Sequence, residues 1–413
     1  MTRVAWAALL LQAAVLSAAC SSQAPSTSPA RPEGSLTPAA SQSGTGIVRR
    51  SAPSCTTATQ SAPSLPASAT HMTSVGSSNA PFGVAVTAAG HWAFASLGSG
   101  IGVFRLSAGR APALIRRIAL PQGPSVGAAL STDGHLLLIA AGGSSAVVVS
   151  VPAAESGRRN AVLGVLTVPG RQEAGAIEVA FSPDGRYAFV SLEDLDQIAV
   201  FNVAKALTSG FGSGVYVGSI PTQVAPVGLA FSPDGRWLYA TSEVQNLHSQ
   251  IGTLAVISAP RAESDPSSSV LVRVPAGCNP VRVVTSANGS VVWVTARASD
   301  ALLAFSAAAL RSSPKRALLA DIRVGEAPVG LALVRGGLLV VVADSDRFNA
   351  TGQKANLAVV DVRDALARRP ALLGYLPAGV FPRDVAANAD GTALLLGNYA
   401  SGQVESVDVA DLP

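Results

Sequence analysis

Short apolar segments recur along the chain from about residue 80 to its end, and each runs into a tight polar turn. The clearest copies read GAALSTDG at 127–134, EVAFSPDG at 178–185 and GLAFSPDG at 228–235. Weaker copies, which end in Ala-Gly, Asn-Gly, Gly-Gly or Asp-Gly, begin at Gly83, Arg282, Gly330 and Asp384. Seven copies at a spacing of roughly 50 residues are typical of the blades of a β-propeller.

Each copy has the same internal pattern, which predicts four antiparallel strands. A short apolar strand enters a turn whose glycine accepts the positive φ that tight turns require. A second strand (residues 237–241 in one copy), a variable loop, an alternating third strand (197–202) and a fourth strand (270–274) follow. The sequence therefore predicts an all-β fold over residues 67–413, a seven-bladed β-propeller of four-stranded antiparallel blades.

The two ends of the repeat region predict how the ring closes. The last copy has three strands, the third ending near Val409, and the chain stops at Pro413. A segment from Ser68 to Val75 stands before the first copy, where a fourth strand stands before the others. We therefore expect this N-terminal strand to complete the last blade, which would remove two open sheet edges.

The first residues predict export from the cytoplasm. A basic start, Met1-Thr2-Arg3, precedes an apolar run from Val4 to Leu16 that is too short to span a bilayer. The sequence LSAAC, which ends at Cys20, resembles the lipobox of bacterial lipoproteins, in which the cysteine carries the lipid. The alternative is a plain secretory signal with an incidental cysteine.

On the lipoprotein interpretation the N-terminal region has two parts. We expect a signal peptide at 1–19 and, from the lipidated Cys20, a tether at 20–66 that is rich in Ser, Pro, Ala and Thr. The protein would then be extracytoplasmic, and its lipid anchor would make the bacterial membrane or envelope its first partner.

Composition excludes several classes of function. The net charge is +4 with scattered Lys and Arg, and aromatic residues make up 5% of the chain, which argues against nucleic-acid binding. Four histidines without ligand spacing predict no metal, and the absence of a C-x-x-C-H motif predicts no haem cofactor. No other cofactor is predicted, and we expect a monomer. Outside the cytoplasm, Cys55 and Cys278 either form a disulfide or remain two free thiols.

Three motifs resemble the YVTN-repeat β-propeller family, which is related to the lactonase-like and surface-layer-like propellers. They are P-x-G before the inner strand (81–83, 226–228, 328–330), the S-P-D-G turn, and a third strand such as LAVVD at 357–361. The resemblance covers about residues 70–413. It implies the propeller fold but not one activity, because such propellers serve several functions.

In such a propeller, the loops that lead into the inner strands and the loops between second and third strands share one face around the axis. We call this face the mouth and expect any ligand there rather than on the face of short Asp-Gly turns. The residues predicted to bind it are Glu178, Arg282, Arg383, Asp384, Arg297 and Asp344. The alternative is that these groups form salt bridges between blades.

The sequence favours a binding role over catalysis. It contains no G-x-S-x-G elbow and no H-E-x-x-H motif. The leading hypothesis is a non-catalytic, tethered module that binds a protein, a glycan or a small polar ligand. The alternative is a lactonase-like hydrolase on the axial face, which would use Arg282, Arg383 and Glu178.

Overall fold

A computed structural model describes Cys55, residues 62–65, residues 70–348 and residues 354–413. Its strands form seven four-stranded antiparallel sheets. Each innermost strand contacts the innermost strands of both neighbouring sheets, so the sheets form a closed ring. The predicted seven-bladed propeller is confirmed.

Blades 1 to 4 each start at the axis and end at the rim. The strands of blades 1 and 2 are β2 (Pro81–Val86), β3 (Trp92–Leu97), β4 (Gly100–Arg105), β5 (Ala113–Ala119), β6 (Ala128–Leu130), β7 (Leu136–Ala140), β8 (Ser145–Ser150) and β9 (Val162–Thr167). Those of blades 3 and 4 are β10 (Ala176–Phe181), β11 (Tyr187–Leu192), β12 (Gln197–Asn202), β13 (Tyr216–Pro221), β14 (Val224–Phe231), β15 (Trp237–Val244), β16 (Ile251–Ser258) and β17 (Val270–Cys278).

Blades 5 and 6 repeat this order, and blade 7 takes its outer strand from the N-terminal region. The strands of blades 5 and 6 are β18 (Pro280–Thr285), β19 (Val291–Ala296), β20 (Ala301–Ser306), β21 (Leu318–Arg323), β22 (Pro328–Val334), β23 (Leu339–Asp344), β24 (Asn356–Asp361) and β25 (Leu372–Pro377). Blade 7 contains β26 (Pro382–Ala387), β27 (Ala393–Asn398), β28 (Gln403–Asp408) and β1 (Thr70–Ser74).

Short helices, which the sequence pattern did not indicate, follow the third strand in blades 2 to 6. They are α1 (Val151–Ser156), α2 (Val203–Ser209), α3 (Ala259–Ala262), α4 (Ala307–Ser312) and α5 (Val362–Leu366). The last residue of the strand caps four of them, because the side chains of Ser150, Asn202, Ser306 and Asp361 accept a hydrogen bond from a backbone amide in the first turn. The Asp or Asn that closes the repeat's third strand is therefore a helix cap.

Single turns of 3-10 helix occupy other connections. They span Ser77–Asn79, Glu193–Leu195, Ser213–Val215, Pro266–Ser268, Arg297–Ser299, Pro314–Arg316 and Arg335–Gly337. Among the described residues, no helix has both the length and the apolar character needed to cross a bilayer.

Apolar side chains fill the space between each pair of neighbouring blades. Alternate residues of one strand face opposite neighbours: Leu137 packs toward blade 1, and Leu138 packs toward blade 3. Both faces of every sheet are therefore buried, and strands such as β8 read as continuous apolar runs. This arrangement accounts for the 48% hydrophobic content of the chain.

The Ser-x-Asp-Gly turn is held by its own side chains. In blade 4, the Ser232 hydroxyl donates to Asp234 Oδ1 at 2.5 Å and accepts from the Trp237 amide at 3.0 Å. Gly235, at φ 70°, takes the left-handed conformation that the turn requires. The same hydroxyl–carboxylate bond recurs at Ser131 and Ser182, so this motif serves turn formation.

The N-terminal strand closes the ring, as the sequence predicted. Strand β1 pairs antiparallel with β28, from Thr70 opposite Val407 to Ser74 opposite Gln403. Upstream, the Leu65 amide donates to the Tyr375 carbonyl at 2.8 Å. A disulfide joins Cys55 to Cys278, whose Cα atoms are 5.3 Å apart. The region expected to be a tether up to residue 66 is therefore attached to the body at these two points.

Two truncations test the closure by β1. A chain that starts at residue 67 loses the disulfide and the Tyr375 contact but retains β1; a chain that starts at residue 76 also loses β1. The second should melt several degrees lower or aggregate, because it exposes the edge of β28. Thermal unfolding and size-exclusion chromatography measure both effects, and equal melting temperatures for the two chains would contradict closure by β1.

Candidate functional site

The first residue of each repeat lies at the axis, where neighbouring inner strands touch. We call these seven residues the axial ring: Gly83, Gly127, Glu178, Gly228, Arg282, Gly330 and Asp384. A Cβ atom on Gly83 would lie 2.6 Å from the Val126 carbonyl oxygen of the next blade. One on Gly330 would lie 3.0 Å from the Asp384 Cα. Because backbones approach this closely, glycine occupies four positions, and only blades 3, 5 and 7 carry side chains.

Hydroxyl groups on the second strands of blades 3, 4 and 5 each bond to the inner strand of the next blade, so they link blades 3 to 6. The Thr241 hydroxyl accepts from the Gly228 amide at 2.8 Å and donates to the Val281 carbonyl of the next blade at 2.9 Å. Ser191 and Thr295 make the same pair of bonds. These bonds fix the spacing of the inner strands on which the charged ring residues stand.

The three charged ring residues meet across the axis, and we call them the axial triad. Arg282 Nη2 lies 3.0 Å from Glu178 Oε2, and Arg282 Nε lies 3.7 Å from Asp384 Oδ1. The second oxygen of Asp384 accepts from the Val84 amide at 2.9 Å, and that of Glu178 accepts from the Val179 amide at 3.2 Å. The triad therefore links blades 1, 3, 5 and 7.

The triad is electrostatically unusual because it is buried. Burial raises the pKa of Glu178 to about 7, although Arg282 acts in the opposite direction. Burial alone would lower the pKa of Arg282, but Glu178 and Asp384 together raise it. Its Nη2 and Nε meet Glu178 and Asp384, whereas the two N–H donors of the buried Nη1 have no partner among the described residues. Such donors are costly unless a polar group or water meets them.

An apolar layer separates the triad from the mouth. The residues that precede the ring position in blades 3 to 6 are Ile177, Val227, Val281 and Val329, and they pack together with Phe381. The three valines are about 1% exposed. Because each inner strand runs from the mouth to its Asp-Gly turn, this cluster lies on the mouth side of the triad.

Arginines stacked on aromatic rings form the centre of the mouth. Arg383 lies 3.6 Å above the Phe82 ring, and Arg347 lies 5.4 Å from the Phe348 ring and 5.3 Å from the Phe381 ring. Burial, together with the neighbouring Arg282 and Arg347, lowers the pKa of Arg383 to about 9. The mouth thus concentrates positive charge in partly desolvated surroundings.

Two glutamates, Glu193 just after β11 and Glu243 at the end of β15, face this positive charge. Glu243 pairs with Arg297 at 2.9 Å. Burial raises the pKa of Glu193 to about 7, and Glu243 and Asp194 raise it too, while Arg383 opposes the shift. At neutral pH, Glu193 therefore offsets the arginines only in part.

Four of the predicted residues are brought to the axis in two groups. Glu178, Arg282 and Asp384 form the triad, and Arg383 lies in the mouth. Arg297 lies beside Glu243 in the mouth wall. Asp344 lies elsewhere, between blades 5 and 6, where its Oδ2 accepts from the Gly325 amide at 2.9 Å.

The aromatic half of the mouth was missed from the sequence. Phe82 is the middle residue of the P-x-G motif in blade 1. In blade 7, Phe381 stands directly before the corresponding segment, residues 382–384. The P-x-G motif indicates the family, but the motif alone does not reveal what its middle residue contacts. Glu193 and Arg347 lie on the predicted mouth loops but could not be ranked above their neighbours.

Other features of the described chain offer less chemistry. A cavity of about 430 Å³ between Thr167–Gln172 and Phe211–Ser213 lies far from the axis, and Arg171 is the charged residue in its lining. In the described ranges, no group of three or more His, Cys, Asp or Glu is arranged to hold a metal ion.

The fold and the axial groups define a seven-bladed propeller with a charged centre, and comparison with known proteins identifies its family. The family described as Lactonase, 7-bladed beta-propeller matches residues 67–356. The chain belongs to this family, which confirms the lactonase-like resemblance. A search of curated proteins found no match.

One solved structure with the same fold is Kuenenia stuttgartiensis hydrazine synthase. It is 16% identical, has a TM-score of 0.64, and covers 80% of this chain and 96% of that one. At this identity the likeness concerns the fold alone.

Asp344 provides a pH test of the burial described above. Burial, and next Asp300, raise its pKa well above the usual range. The folded protein therefore binds more protons than the unfolded one, and stability falls as pH rises above the unfolded pKa of about 4. The variant Asp344→Asn retains an acceptor for Gly325 and should gain melting temperature over the parent as pH rises from 4 to 7. Exposed Asp411→Asn is the control, and a gain that does not grow with pH would contradict the account.

Proposed function

We propose that the chain is an extracytoplasmic, membrane-tethered β-propeller that binds a small anionic ligand at the mouth and leaves it chemically unchanged. One observation carries the proposal. Arg347 and Arg383 lie against aromatic rings, and within the described part of the chain neither has a carboxylate within ion-pair distance. A guanidinium without an internal partner can offer two parallel N–H donors to a carboxylate or phosphate.

The electrostatics of the mouth support an anion rather than a cation. Neighbouring arginines lower the pKa of Arg383, so an anion there would relieve their mutual repulsion. The rings that hold the guanidinium groups also brace one another, since Tyr399 packs edge-to-face with ring centroids 5.5 Å from Phe381 and 6.0 Å from Phe82. Because Arg383 and Phe82 lie on inner strands, little conformational entropy of these two groups is lost on binding.

A second candidate function is hydrolysis of a lactone at the same place. It is favoured by Glu193, whose pKa of about 7 suits a general base, beside arginines that could polarise a carbonyl. Water would attack the lactone carbonyl and Glu193 would take its proton; as the ring C–O bond breaks, Glu193 would return that proton to the ring oxygen to give a hydroxy acid, which ionises at neutral pH. The family description makes this chemistry worth testing directly.

Two measurements, a titration with benzoate and an assay of lactone hydrolysis, separate the two candidate functions. The purified full-length protein should bind benzoate by calorimetry, and Arg383→Gln should weaken binding about tenfold, because a charge-assisted hydrogen bond is lost. Arg236→Gln, an exposed residue on the Asp-Gly face, is the matched control and should bind as the parent does. Absence of benzoate binding would refute the proposal. Proton release from δ-valerolactone that Glu193→Gln abolishes would instead establish the hydrolase.

The tether is tested at Cys20, which lies outside the described residues. If Cys20 carries the lipid, Cys20→Ala should move the protein from the detergent phase to the aqueous phase when bacterial envelopes are fractionated. Replacement of Ser21 by Ala, which leaves the cysteine in place, is the control. A Cys20→Ala protein that remains in the detergent phase would show that the anchor lies elsewhere.

A further inference from the structure

A second cavity lies at the opposite end of the axis from the mouth. It measures about 340 Å³, and the axial triad forms part of its lining. Its walls are the inner-strand residues that follow the ring position, and Thr132 and Pro183 of the Asp-Gly turns mark the end at which it opens. No described residue of the mouth loops lines it, because the Val227, Val281 and Val329 layer intervenes.

We infer that this cavity, on the Asp-Gly face, is a binding site for a small monocarboxylic acid with an apolar tail, whose carboxylate is received by Arg282. The inference concerns a different site from the proposed mouth function and does not depend on it. It also assigns a ligand to the Asp-Gly face, where the sequence predicted none. The space for the ligand comes from the width of the ring and not from the short turns.

Arg282 indicates that the ligand carries a carboxylate group. This side chain is 8% exposed and lines the cavity, and its Nη1 has neither a hydrogen-bond nor an ion-pair partner among the described residues. Glu178 and Asp384 lie beside it, but each commits its other oxygen to a backbone amide, Val179 and Val84 respectively. A planar acceptor that enters the cavity would satisfy donors that the protein itself leaves unsatisfied.

The side chains of the cavity walls indicate that the rest of the ligand is an apolar chain. The side chains between the triad and the opening are apolar, and they include Leu130, Phe181, Leu229, Phe231 and Leu331. Burial of methylene groups against them is favourable because it removes apolar surface from water. The volume equals that of about eleven water-sized groups. A chain of about eight carbons with one carboxylate therefore matches the cavity in size.

The charge balance predicts that binding takes up a proton. An added carboxylate would face two carboxylates and one guanidinium, which is unfavourable unless one acid is neutral. Glu178 is that acid, because burial holds its pKa at about 7; the charged groups that face it are Arg282, Asp384 and Arg383. In the protonated state Glu178 can donate to the ligand. Affinity should therefore fall as pH rises through 7.

The experiment uses octanoate and the full-length protein. Calorimetry at pH 6 and pH 8 should show about tenfold weaker binding at the higher pH, the change expected for one linked group that titrates near 7. Heats measured at pH 7.5 in phosphate and in Tris should differ by the uptake of about half a proton or more. Octanol and octylamine, which lack the carboxylate, should bind far more weakly.

Two variants separate this site from the mouth. Glu178→Gln keeps the shape of the side chain but cannot titrate, so octanoate affinity should change less than about twofold between pH 6 and pH 8. Ala129→Phe places a ring in the cavity and should abolish octanoate binding while benzoate binding at the mouth, which reports a folded propeller, remains that of the parent; a modest fall in melting temperature is expected, because Ala129 also packs against the core between blades 2 and 3. The second variant and the proton uptake of the parent decide the matter if Glu178→Gln does not fold.

Several results would overturn the inference. One is the absence of octanoate binding up to about 10 mM. Others are octanoate binding that survives Ala129→Phe, pH dependence that is unchanged in Glu178→Gln, or equal affinity for octanol. Loss of benzoate binding alone would refute the mouth function and leave this site standing.

Discussion

The inner strands meet at the axis with their backbones in contact, and this close approach governs the chemistry of the whole centre. Glycine at four ring positions lets neighbouring backbones touch, as the 2.6 Å distance from a Cβ on Gly83 to the Val126 oxygen illustrates. Hydroxyl bridges such as Thr241 then fix the spacing from one blade to the next. Any side chain at a ring position must therefore point toward the axis.

Three ionisable side chains in that space cannot avoid one another, and each is only 8 to 16% exposed. Their pairing across the axis links alternate blades, and the cost of burial appears as the raised pKa of Glu178 and the unsatisfied donors of Arg282. The valine layer beside them then divides the axis into two compartments. The arginine-rich compartment is flanked by aromatic rings, and the other is walled by aliphatic and phenylalanine side chains.

The sequence predicted the fold well because the repeat is local. Each turn, such as Ser232 to Gly235, contains its own hydrogen-bond partners, so seven imperfect copies in register define seven blades without long-range knowledge. Closure by β1 followed from the missing fourth strand alone. The pairing of Arg282 with Glu178 could not be predicted, because it joins blades 3 and 5 across the axis and depends on the ring diameter.

The directions of the side chains at the axis also could not be predicted from the sequence. Arg383 and Asp384 are adjacent in sequence, yet the first lies on Phe82 in the mouth and the second belongs to the triad. The inner-strand pairing shifts register between Pro382 and Asp384, and such a bulge turns neighbouring side chains in ways that strand alternation does not predict. Asp344 was misplaced for a related reason, because its position at a strand end did not reveal that Gly325 leaves room for it between blades.

The disulfide between Cys55 and Cys278 has a mechanical consequence. The N-terminal strand that closes blade 7 is held by hydrogen bonds alone, and a strand of that kind would peel off one bond at a time if its free end were pulled. Cys55 precedes it in the chain and is covalently joined to the end of β17 in blade 4. A load applied upstream of Cys55 therefore passes into blade 4 through a covalent bond, and the closing strand carries none of it.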